Sequence, residues 1–71
     1  LSNMVIYKSL RIQDPSDFSI IKHHISQLDL DIDCGYEDEV INFYSEYLYD
    51  EVKKFIKHTK IRHKINKIQR S

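Results

Sequence analysis

From Tyr36 to Arg62 the chain reads YEDEVINFYSEYLYDEVKKFIKHTKIR, without glycine or proline, and apolar residues return every three or four positions. On a 3.6-residue period Val40, Ile41, Phe43, Tyr44, Tyr47, Leu48, Val52, Phe55 and Thr59 share one broad side. Asn42, Ser45, Glu46, Asp50, Lys53, Lys57 and Lys60 take the other. The spacing predicts one long amphipathic helix over residues 36–62. Glu37, Asp38 and Glu39 at its start and Lys60, Arg62 and Lys64 at its end suit the two poles of a helix dipole. Ile61, Ile65 and Ile68 continue at helical spacing on a rotated stripe, so the helix either ends between His58 and His63 or changes the surface it packs against.

A second helix is predicted upstream. Asp14 is placed to cap it, Pro15 fits its first position because no N–H is needed there, and Asp17 is the first-turn acid. Phe18, Ile21, Ile25 and Leu28 then form a stripe of about three turns, with Lys22, Ser26 and Asp29 outside it. This helix, Pro15 to Leu28, is too short to stand alone and is expected to pack on the longer one. The connection Asp29–Gly35 should turn Leu30 and Ile32 inward and leave its aspartates in water. Before Asp14, MVIYKSLRI has strand-forming residues but no clean period, and reads as a short strand or extended arm. The expected architecture is all-α: an N-terminal arm over residues 1–14, then a helical interaction domain over 15–71 with a short helix and a long central one.

Charge changes this picture. The chain has 71 residues and a formal net charge of +0, yet residues 29–51 hold nine acids and no base, and residues 53–70 hold eight bases and no acid. Helix-end chemistry accounts for some of this segregation. The rest leaves room for an acidic partner or a nucleic-acid phosphate backbone on Lys53, Lys57, Lys60, Arg62, Lys64, Lys67 and Arg70. One cysteine excludes an intramolecular disulfide and suits a reducing, intracellular compartment. No apolar run approaches membrane-spanning length, so no membrane partner is expected.

Candidate catalytic and metal chemistry is thin. Asp29, Asp31 and Asp33 alternate like the ligands of a calcium loop, but the sixth position is Cys34 instead of glycine and the twelfth is Val40 instead of glutamate. His23 and His24 diverge by about 100 degrees on a helix, and His58 and His63 are five apart, so neither pair makes a good zinc face. Cys34 has no identifiable activating base. Neither an enzyme nor a cofactor is expected.

The segment from Pro15 to Arg62 resembles the first two helices of a histone fold, most nearly the small TBP-associated subunits shared by TFIID and SAGA. The resemblance rests on Pro15 and Asp17, Ile21 and Ile25, Tyr36-Glu37-Asp38 with Val40, and the aromatics Phe43, Tyr44 and Tyr47. It implies pairing with another histone-fold subunit, a transcription-complex role and a nuclear location. A histone fold would also continue into a second loop and third helix, for which residues 63–71 are too few. Independently, the long stripe outruns the apolar residues available to cover it, so a noncatalytic protein-interaction module is expected, as a homodimer or with another protein. Phe43, Tyr47, Leu48, Val52 and Phe55 would centre its interface. The alternative is a nucleic-acid-binding helical protein using the basic segment.

Overall fold

The computed structural model describes residues 5–68, in the order β1 (Lys8–Ile12), α1 (Pro15–Gln27), a 3-10 turn (Asp31–Asp33), β2 (Cys34–Glu37), β3 (Val40–Phe43), α2 (Glu46–Thr59) and β4 (His63–Ile65). The four strands form one sheet in the order β2-β3-β1-β4, antiparallel at every pairing. Each helix therefore links two strands that have a third strand between them. This is the ferredoxin-like, split βαβ topology.

β1 is central. Leu10 lies opposite Ile41 on one side and Ile65 on the other, and Ile12 lies opposite His63. Bonds from the Tyr7 amide to the Phe43 carbonyl (2.7 Å) and from the Asn66 amide to the Ser9 carbonyl (3.0 Å) prolong both ladders. Alternation sends Leu10, Ile12, Ile41 and Phe43 to the helix-covered face, where all four are fully buried with Ile21 and Ile25 of α1 and Leu48 and Val52 of α2. The His24 ring stacks on Phe55 at 4.0 Å between the two helices. Tyr49 meets Phe43 and Tyr7 edge-on at 5.4 and 5.7 Å. On the other face the buried Ser9 hydroxyl donates to Asn42 Oδ1 at 2.6 Å.

The all-α expectation is therefore wrong, and with it the histone-fold resemblance: the chain is mixed α/β, with two helices on a four-stranded antiparallel sheet. Residues 36–62 do not form one helix. Their first part is a hairpin whose two-residue turn, Asp38-Glu39, joins Glu37 to its partner Val40, with Asp38 at φ 55. The helix begins only at Glu46, where the Ser45 hydroxyl caps the Leu48 amide at 3.2 Å. The expected transcription-complex role and nuclear location followed from the histone-fold likeness and fall with it. Helix α1 forms with its anticipated Asp14 cap and ends at Gln27, with Leu28 as its C-cap. Of the linker pair, Leu30 packs against the core while Ile32 is exposed. Residues 8–12 take the strand alternative, and the part of the proposed arm before residue 5 lies outside the described residues.

Gly35 offers a test of this packing. A Cβ there would sit 2.6 Å from the Tyr44 hydroxyl oxygen. Gly35→Ala should therefore destabilise the protein by about 1 kcal/mol, at the low end for overpacking because only the end of the Tyr44 ring must swing aside. In a Tyr44→Ala background the same change should be neutral or stabilising, since alanine restricts the unfolded chain. Urea melts of the four proteins measure the coupling. An equal cost in both backgrounds would show that Tyr44 is not what restrains position 35.

Candidate anion-binding groove

The second half of α2 presents Lys53 and Lys57 at helical spacing, with Lys54 beside them. Lys60 ends the helix in a left-handed conformation, φ 61, and its amide bonds the Ile56 carbonyl at 2.7 Å. That reversal seats Ile61 in the core and carries Arg62 and His63 back alongside the helix into β4. Between helix and strand lies a groove of about 720 Å³, lined by Gln13, Lys53, Lys54, Ile56, Lys57, Lys60, Ile61, Arg62 and His63. Five of these are lysine or arginine and none is acidic.

His63 is held from both sides: Nδ1 lies 3.2 Å from the Ile61 carbonyl and Nε2 lies 3.1 Å from Lys53 Nζ. The two contacts fit the tautomer in which Nδ1–H donates and Nε2 accepts from the ammonium. Lys54 has a surface partner, Glu51, at 3.4 Å. Like charges one turn apart oppose helix formation by roughly 0.2–0.5 kcal/mol per pair. Their place at the negative end of α2 offsets part of that cost. One end of the groove adjoins a hollow in which Lys60 and Arg62 meet Gln13, Asp14, Pro15 and Asp17. Asp14 accepts from the Ser16 hydroxyl at 2.6 Å and from its amide at 2.8 Å, bonds that hold its carboxyl below the usual aspartate range. Positive lining therefore gives way to negative at the start of α1.

Of the expected nucleic-acid residues, the fold brings Lys53, Lys57, Lys60 and Arg62 together. Lys64 is opposite Arg11 and by alternation faces the other side of the sheet, Lys67 is exposed past β4, and Arg70 lies outside the described residues. Gln13, Lys54 and His63 were not anticipated. Lys54 belonged to the same basic run, but only the β1–β4 pairing brings Gln13 to this site. Of the expected interface set, Phe43, Leu48 and Val52 are fully buried beneath the chain's own sheet and helices, Phe55 is half-buried and Tyr47 is 64% exposed. Among the described residues, no group of three His, Cys, Asp or Glu could hold a metal ion, and no helix is long and apolar enough to cross a membrane. Compared with known proteins, the chain matches no family model, no curated protein and no solved structure.

Cys34 is buried on β2, its Sγ 3.9 Å from the Asp31 carbonyl. Burial pushes its thiol pKa up, against a smaller opposing effect of the Tyr36 hydroxyl, and burial raises Tyr36 as well. Both groups hold their protons more tightly in the folded chain. Their contribution to stability is complete below the unfolded thiol's value of about 8.5 and is lost as pH rises toward the folded value. Urea midpoints measured from neutral to alkaline pH should fall for the native chain and fall less for Cys34→Ala. Identical slopes would show that the thiol does not contribute.

Proposed function

We propose that this chain is a noncatalytic nucleic-acid-binding module that holds phosphate groups in the groove between α2 and β4. The supporting observation is convergence: Lys53, Lys54, Lys57, Lys60 and Arg62, with His63, line one concave surface that contains no acid. Such a surface concentrates positive potential and attracts a polyanion. Lysines supply mobile point charges, while the Arg62 guanidinium can grip a phosphate with two parallel bonds. Phosphate contact of this kind is indifferent to sequence.

A second reading, a module that pairs with another protein or a second copy, draws on Tyr47 at 64% exposure with Val5 at 69% and Ile65 at 62%. It leaves the concentration of bases without a role, so the first reading is preferred.

Binding should weaken linearly in log affinity against log salt, with a slope of about −0.9 for each duplex phosphate engaged. Neutralising Lys57, Lys60 and Arg62 together to Gln should reduce the slope by roughly 2 to 3 and affinity at least about tenfold. Lys64→Gln, on the other sheet face, should change affinity less than about twofold. Fluorescence anisotropy with unrelated oligonucleotides measures both, and circular dichroism checks folding. Absence of binding at low salt, or equal damage from Lys64→Gln, would sink the assignment.

A further inference from the structure

The groove is more than a patch of charge. Ile56 and Ile61, 2% and 8% exposed, close its base, the lysines that line it carry long apolar stems, and Arg62 and His63 bring two planar groups to it. A duplex backbone presents phosphate and sugar to a protein while its bases stay stacked, so it would bridge the basic rim and leave the lysine stems and the Arg62 plane inside the groove uncovered. A single strand can turn one base out of line, cover that surface and stack on a guanidinium plane. The volume, about 720 Å³, falls within the roughly 300–1,000 Å³ that accommodates ligands of small-molecule size. At the adjoining hollow Asp14 and Asp17 offset the charge of Lys60 and Arg62, so the uncompensated positive charge lies along α2.

We infer that the groove takes single-stranded nucleic acid, with one unpaired base against the Arg62 plane and the lysine stems and the flanking phosphates on Lys53, Lys57 and Lys60. This rests on the nucleic-acid reading above and adds strandedness to it. The occupant is chosen on charge and shape: a polyanion supplies the complement to the rim, and an unpaired base supplies a flat group for the interior and the Arg62 plane.

The test compares four fluorescent probes at one salt concentration: a single-stranded RNA, an abasic strand with the same number of phosphates, an RNA duplex, and a polyglutamate peptide. The base-bearing single strand should bind at least about tenfold tighter than the abasic strand or the duplex, the scale measured when one base–aromatic stack is removed. Arg62→Lys keeps the charge but removes both the plane and the two-bond grip on phosphate, so absolute affinities should fall for every strand while the ratio of base-bearing to abasic affinity loses most of its preference. Equal affinity for base-bearing and abasic strands, or a preference that survives Arg62→Lys, would overturn single-strand seating while leaving phosphate binding intact. If no nucleic-acid probe binds at low salt, both readings fail. Tightest binding by polyglutamate would overturn them in favour of an acidic protein.

Discussion

The structure depends on strand β1 pairing along both of its edges. Residues 8–12 hold β3 on one side and β4 on the other, and Leu10 and Ile12 lie beneath both helices. A one-residue slip in that register would turn both side chains toward the uncovered face and bring Arg11 into the core. Register is thus fixed by burial as well as by hydrogen bonds. The helices in turn need the sheet, because α1 and α2 are 13 and 14 residues long and helices of this length are marginal in water without a surface to cover.

The groove is a consequence of the same pairing. β4 has three residues and could not persist alone, but its place beside β1 returns Arg62 and His63 to the flank of α2. Five lysines and arginines then share a surface on which they repel one another. The helix dipole, the Lys53–His63 contact and the Glu51–Lys54 pair moderate that repulsion without placing an acid in the lining. A bound polyanion would relieve the remainder, which is why stability and binding should be coupled at this end of the molecule.

Local chemistry was legible where it was local. Asp14-Pro15-Ser16-Asp17 marked the start of α1 because cap, first-position proline and first-turn acid all act within four residues. Val40, Ile41 and Phe43 misled because they satisfy two periods at once: they fit a helical stripe, and Ile41 and Phe43 alone fit the inward face of a strand. The signs favouring the strand were the adjacent β-branched pair Val40-Ile41, Gly35 in the preceding segment and Ser45 placed to cap a later helix. Sequence polarity also separated the basic segment from the acidic one. It could not show which bases would meet, since the crossover after α2 and the β1–β4 ladder are tertiary, and Ile61, Ile65 and Ile68 looked like a continuing helix. Strands β1 and β3 cover much of the apolar surface of the helices, through Leu10, Ile12, Ile41 and Phe43.

The central claim, that residues 8–12 form the middle strand and thereby assemble the groove, is tested most directly by nuclear Overhauser contacts in the isotope-labelled chain. Cross-strand backbone contacts from Arg11 to both Val40 and Lys64, and from Leu10 to both Ile41 and Ile65, are expected together. Helical sequential contacts running unbroken through residues 36–45, with no contact between residues 8–12 and either partner strand, would contradict it.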